Sequence, residues 1–294
     1  MIRPGSPVPG HGHPAETVTS GTGPAGQPRP WEDARRPEAA ERVRTLAESN
    51  ASAVLDIPGT AAGGRGATAP LARAVTVDGD VLLLVPGDSP AARAAARAQD
   101  DELTALIEIT DVAPVAVPHR IRGRAWLGGW LTPLRGPDRA VALAHFGRRD
   151  PDAVFAPGGG AAPDGGPREV LRLEVGEAAV DDLWGAEPVE PDAFAAARPD
   201  PVAGHEGDVL QHLASAHDAE LRSLCGLLDG PAGALCGERG RVVPLALDRA
   251  GLRVRFTEGR ARVADVRFDF PEPVRDVTEL SRALRLLFEA AERD

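Results

Sequence analysis

The sequence predicts a mainly β protein: a small antiparallel barrel followed by a smaller α+β unit. Three observations carry this. Short β-rich runs divided by tight turns fill residues 53–175, with few helical patterns between them. One pair of these runs is joined by Asp78-Gly79, a strong hairpin signal. From about residue 205 the pattern changes to helix, three strands and helix, an α-β-β-β-α order suited to one sheet packed on helices.

Residues 1–38 are dense in Pro, Gly, Ser and Thr and nearly free of bulky apolar side chains, so they cannot offset their own ordering entropy. They are expected to be disordered. Gly21, Gly23 and Gly26 match the dinucleotide fingerprint GxGxxG, but no strand precedes them and no helix follows, so the match is formal. Residues 39–190 form the expected barrel. A helix around EAAERVRTLAES sets Val43 and Leu46 on one side. Ala53 to Ile57 reads as a strand, and Ala72 to Val77 with Val81 to Val85 as the hairpin. SPAARAAARAQ reads as a helix with Ser89 as N-cap and Pro90 at its first position. This placement also removes Gly87-Asp88-Ser89 as a serine-nucleophile motif, which lacks its second Gly.

Strands are expected at Leu103 to Thr110, at Ala113 to Val117, and from His119 to about Leu134 with a bulge at Gly128-Gly129. Another is expected at Glu169 to Val175, and Gly158 to Gly166 reads as a loop. Residues 191–204, punctuated by Pro191, Pro199 and Pro201, read as a linker to the unit at 205–294. There a helix from Glu206 to Leu228 precedes strands at Val242 to Leu247, Leu252 to Phe256 and Val263 to Phe270. Asp276 and Glu279 then form a capping box for a closing helix whose stripe is Val277, Leu280, Leu284, Leu287 and Phe288.

Composition excludes whole classes. Acids outnumber bases 44 to 33, a net charge of −11 in 294 residues, which disfavours nucleic-acid binding. All of the basic residues are Arg, so a Walker-A loop, a Schiff-base lysine and lysine-held pyridoxal phosphate are excluded, and the absence of Tyr removes any phenol acid. Two cysteines, Cys225 and Cys236, make neither a disulfide framework nor a multi-cysteine zinc site and read as inert. No leader pattern and no apolar run longer than Val81 to Val85 are present, so a cytoplasmic protein without membrane contact is expected.

Two constellations carry chemistry. In HRIRGRAW, strand alternation places Arg120, Arg122 and Arg124 on one face at steps of about 6.6 Å, a cationic ladder suited to a phosphate or carboxylates. The bland alternative is a sheet face paired with neighbouring acids. On the helix at 206–228, His217 shares the stripe of Leu210, Leu213, Leu221 and Leu224, while His205 and His212 lie opposite. The set lacks HExxH spacing and does not converge on one metal from one helix. Asp181-Asp182 reads as a solvated pair, and Trp126 and Trp130 as core or interface residues.

The order of barrel, linker and an α+β unit opening with His212-Leu-Ala-Ser-Ala-His217 resembles the haem-utilisation proteins. These pair a pyridoxamine 5′-phosphate oxidase-like, FMN-binding split β-barrel with a carboxyl-terminal domain of unknown function. His212 and His217 match the two histidines of its His-Met-Asn-x-Asp-His signature, with Leu213, Ala214 and Ala216 replacing the residues between. RIRGRAW around Gly123 and the LWGA segment at Leu183 to Ala186 match further parts, over residues 40–290. The resemblance implies a homodimer of split barrels with a ligand cleft near the dimer interface. Some relatives bind flavin mononucleotide, some bind or degrade haem, and one plant relative binds glutamyl-tRNA reductase. The lysine that flavin-binding members use beside arginine is missing, and the post-hairpin helix and carboxyl terminus lack the family's histidines.

The leading expectation is therefore a homodimeric haem- or tetrapyrrole-binding protein, with haem degradation or other slow redox activity left open. Arg120, Arg122 and Arg124 would hold the carboxylates, with His212 or His217 near the ligand; no catalytic or metal residue is assigned. A non-catalytic interaction protein with a protein partner stands second, and an FMN-dependent oxidoreductase third.

Overall fold

The computed structural model describes residues 35–58, 66–98, 103–149, 167–228, 236, 240–258 and 262–292. The expected loop at Gly158 to Gly166 and the formal GxGxxG match lie outside these residues, as does the expected disorder up to residue 34. Residues 35–38, the end of the expected tail, are anchored. Arg35 donates to the carbonyls of Phe270 and Pro271 at 3.0 and 2.8 Å, and Arg36 pairs with Glu187.

Seven strands form one curled, antiparallel sheet: β1 (Ser52–Asp56), β2 (Ala72–Val75), β3 (Val81–Pro86), β4 (Thr104–Val112), β5 (Ile121–Pro133), β6 (Arg168–Asp182) and β7 (Gly185–Val189). Their order is β1-β4-β5-β6-β3-β2, with β7 also on β6. A bridge between Leu55 and Thr68 draws the two ends of the sheet together, giving a half-barrel. Its concave side is filled by Leu55, Leu83, Ile107, Ile109, Leu127, Leu171 and their neighbours, all apolar and alternating along the strands as a one-sided core requires.

Helix α1 (Ala39–Glu48) packs Val43 and Ala47 into that core, and α2 (Pro90–Arg97) adds Ala91, Ala92 and Ala95. Ser89 caps α2 as expected, its hydroxyl accepting from the Ala92 amide at 3.2 Å. Gly79 turns the hairpin at φ +92°, a conformation open to glycine. The expected bulge near Gly128-Gly129 is present, and the extra residue is Gly176 on β6. A side chain at Gly129 would put its Cβ 1.8 Å from the Glu174 carbonyl oxygen, so the strands meet where only hydrogen fits.

Several segments depart from expectation. Helix α3 (Gly136–Arg149) covers the outer face of β2, β3 and β6, burying Ala142 and Phe146 against Leu82, Leu84 and Val170. The early Pro137 is a helix-start signal that short-strand reading passes over. The expected linker holds α4 (Pro191–Ala196), whose Phe194 is fully buried in the half-barrel core.

Ala113 to Val117 is not a strand but a loop between β4 and β5. Pro114 and Pro118 deny it the donors of a ladder, and it carries Ala113, Val115 and Val117 into the core of the second unit. That unit is a three-stranded sheet in the order β10-β9-β8, formed by β8 (Arg241–Asp248), β9 (Gly251–Glu258) and β10 (Arg262–Asp269).

The helix expected over 206–228 is broken. It becomes α5 (Ala203–Ala216), α6 (Asp218–Ser223) and a 3₁₀ turn at Leu224–Leu227, with His217 at φ −126° between the first two. The closing helix α7 (Val277–Ala291) is capped by Asp276, which accepts from Thr278 and Glu279 at 2.8 Å each. Glu279 returns to the Arg275 amide, one residue earlier than a capping box requires. Leu280, Leu284 and Phe288 pack with Leu210, Leu213, Leu224 and the β9 residues Leu252, Val254 and Phe256.

Candidate functional site

The three-arginine ladder does not form. Asp111 pairs with Gly123 and Val112 with Ile121, so Arg122 is an extra residue in β5 and the alternation is reset there. Arg124, beyond the bulge, keeps the outer face and is 46% exposed, while Arg122 turns inward and is 8% exposed. Arg120 precedes the strand, is exposed, and donates to the Ala113 carbonyl at 3.0 Å.

Arg122 instead joins the two units. Its guanidinium donates to both carboxylate oxygens of Asp111 at 2.9 Å, to those of Glu206 on α5 at 2.6 and 3.0 Å, and to the Leu245 carbonyl at 3.0 Å. Burial works against its charge, but Glu206 and Asp111 more than offset it and hold Arg122 above its ordinary value. With these partners the guanidinium is committed to protein acids, the bland outcome that a cationic run carries.

A cleft of about 1230 Å³ lies between the half-barrel and the second unit, lined among others by Arg42, Arg122, Trp184, Glu206, Arg253 and Arg267. Trp184 sits on the turn before β7, with the guanidinium carbons of Arg253 and Arg267 4.5 and 4.9 Å from its ring centre. Asp182 is not the solvated acid expected; it pairs with Arg42 and accepts from the Trp184 amide at 2.9 Å. Burial raises its carboxyl above the ordinary value, against the pull of Arg42.

Outside the cleft, the convex face of β1, β4 and β5 is partly apolar. Val54, Val112, Ile121 and Trp130 are each 42–46% exposed, and Trp126 is half-buried beside them. Trp126 lies two residues from Arg124 on the same face, since Trp126 opposes Glu108 and Arg124 opposes Thr110 across β4. Arg124 meets Glu108 at 3.3 Å, an exposed pair that gives it little stability.

The break at His217 corrects the histidine reading. His217 is drawn out of the apolar stripe to 33% exposure, and its ring approaches that of His212 edge-on at 4.9 Å. The two Nε2 atoms are 3.2 Å apart. Glu220 lies 3.0 Å from Nδ1 of His217, and this hydrogen bond holds the Glu220 carboxyl below its ordinary value. Phe288 of α7 stacks parallel to His217 at 6.5 Å. Neither histidine lines the large cleft. Along α5, His212 lies about 9 Å beyond Glu206, the contact point of Arg122. The structure therefore brings His212 and His217 together and separates them from Arg122.

Cys225 and Cys236 are not two free thiols; they form a disulfide, with Cα atoms 5.8 Å apart. Sequence spacing alone does not show such a pairing. Among the described residues, no helix is long and apolar enough to cross a membrane, and no group of three or more His, Cys, Asp or Glu side chains is placed to hold a metal.

No family model matches this chain, and no curated protein does. Among solved structures it is similar to the heme binding protein from Mycobacterium smegmatis, at 25% identity and a TM-score of 0.56, over 88% of this chain and 100% of that one. A protein of unknown function from Agrobacterium tumefaciens str. C58 shares 16% identity over 84% of this chain and 94% of its own, at a TM-score of 0.38.

Proposed function

We propose that this chain binds haem or a related tetrapyrrole. The observation that carries the reading is the likeness, over nearly the whole fold, to a heme binding protein. The outer face of β5 fits such a ligand chemically. Trp126 offers an apolar ring beside Arg124, whose weak pairing with Glu108 yields to a ligand carboxylate, and Arg120 is a second exposed guanidinium. Arg122 and the histidine pair have no part in this site. The exposed Val54, Val112, Ile121 and Trp130 around it are the surface on which a second copy would close, making the binder a homodimer.

Among the described residues, strands β1, β4 and β5 carry no His, Cys or Met. The affinity is therefore ascribed to the ring and its carboxylates, and an iron-free tetrapyrrole should bind about as well as haemin. The test is absorbance titration with haemin and with protoporphyrin IX, repeated with flavin mononucleotide. Saturable Soret shifts of similar affinity for both porphyrins, weakened roughly 10-fold or more by Arg124→Ala, are expected. No saturable shift with either porphyrin refutes the reading, and saturable flavin binding alone replaces it with the flavoprotein.

A further inference from the structure

The geometry points to a two-histidine site for a divalent transition-metal ion at the α5–α6 break, formed by His212 and His217 and oriented by Glu220. It stands apart from the tetrapyrrole reading, since it lies outside both the cleft and the β5 face.

Four facts support it. First, the break at His217 undoes the angular separation that an intact helix would impose and turns both rings to one spot, Nε2 to Nε2 at 3.2 Å. Two nitrogens each about 2.0–2.1 Å from one tetrahedral ion stand about 3.3 Å apart, so the observed spacing is already that of paired ligands. Second, Glu220 sits 3.0 Å from Nδ1 of His217. A carboxylate there accepts a hydrogen bond from Nδ1–H, which fixes the tautomer that leaves the Nε2 lone pair directed at His212; carboxylate–histidine–metal triads use this arrangement. Third, Phe288 stacks on His217 at an interplanar angle of 10° and restricts its ring orientation. Fourth, both imidazoles are open to solvent, so an ion has an entry path and room for water or an external ligand in its remaining positions. Two imidazoles without a thiolate favour Zn²⁺, Ni²⁺ or Cu²⁺ over Mg²⁺ or Ca²⁺.

Without an ion the same contact is an imidazole–imidazole hydrogen bond, and the experiment separates the two roles. Full-length protein is titrated calorimetrically with ZnCl₂ and NiCl₂, alongside His212→Gln, His217→Gln and the double variant, with circular dichroism confirming the fold. Saturable binding of one ion per chain is expected, lost in the double variant and weakened about 10-fold or more by Glu220→Ala. MgCl₂ should give no heat of binding. Binding that survives in the double variant, or no saturable binding by the wild type, overturns the proposal. Porphyrin titration of the same double variant should be unchanged, so the two proposals fail separately.

Discussion

Arg253 and Arg267 are direct cross-strand partners on β9 and β10, and both guanidiniums lie against the indole of Trp184. Two like charges opposite each other in a ladder repel. Here the negative ring face, together with Asp248 and Asp269 on Arg267 at 2.6–2.7 Å, makes the pairing tolerable. The face of the small sheet opposite Leu252, Val254 and Phe256 thus sets this arginine pair against one tryptophan of the half-barrel.

Trp184→Ala should accordingly cost about 1–3 kcal/mol, since the indole is half-buried, and more than Trp184→Phe, which keeps a weaker ring. Urea unfolding followed by circular dichroism measures this. Equal stability of Trp184→Ala and wild type would show that the indole contributes nothing to the junction.

Removing the charge of Arg122 strands two acids. Arg122→Ala should lose about 3–5 kcal/mol, because the largely buried Glu206 and Asp111 are left without their cation. The double change Arg122→Met with Glu206→Met should recover part of that loss, as apolar replacement of a buried pair often does. A double-mutant cycle with no coupling would show that the Arg122–Glu206 pair does not tie the two units together.

Burial raises the carboxyl of Glu41 above its ordinary value, with Arg249 opposing, and its Oε1 has no hydrogen-bond partner among the described residues. The unfolded chain titrates at the ordinary value, so between the two values the folded state holds more protons. The contribution of this group to stability rises as pH falls through the folded value and is lost as pH rises through it. Plotted against pH, wild type should gain on Glu41→Gln from neutral down to the ordinary carboxylate range. Melting temperatures of the two proteins that run parallel across that range would show that burial does not shift the Glu41 carboxyl.

The disulfide closes a loop with a sequence separation of 11. Chain entropy puts its contribution at about 3 kcal/mol, lost in Cys225→Ser or under reductant. Alkylation and intact mass before and after reduction test whether it forms. A reducing cytoplasm keeps such pairs open, so the same assay on freshly lysed cells tests the expectation of a cytoplasmic protein.

Glycine substitutions should split in sign. Gly129→Ala drives a methyl into the Glu174 carbonyl and should destabilise strongly, by about 4 kcal/mol or more. Gly204 and Gly207 on α5 have nothing within 4 Å of a Cβ, and Ala there should add about 0.5–1 kcal/mol each. Thermal melts of the three variants suffice; a neutral Gly129→Ala would mean that β5 and β6 can separate without cost.

What could be read from the chain was what local chemistry decides. The Asp78-Gly79 hairpin, the Ser89 cap, the glycine bulge and the three strands of the second unit all depend on near neighbours. Alternation puts Arg122 on the wrong face because a one-residue insertion in the ladder depends on the partner strand, which a single strand's pattern does not contain. The break at His217 had a faint signal: Asp218 and Glu220 are first-turn acids of a new helix, lost within a continuous leucine stripe. The joining of Cys225 to Cys236 and the covering of Arg253 by Trp184 are tertiary facts with no sequence mark of their own.

Ala113, Val115 and Val117 belong covalently to the half-barrel and energetically to its neighbour. A scissile point anywhere in 191–204 would therefore release two damaged halves. One would display a greasy finger between β4 and β5, prone to self-association. The other would carry a matching hole that water fills poorly. Shuffling either half into a different protein requires trimming that finger or supplying it, so the unit of inheritance in this architecture is the pair.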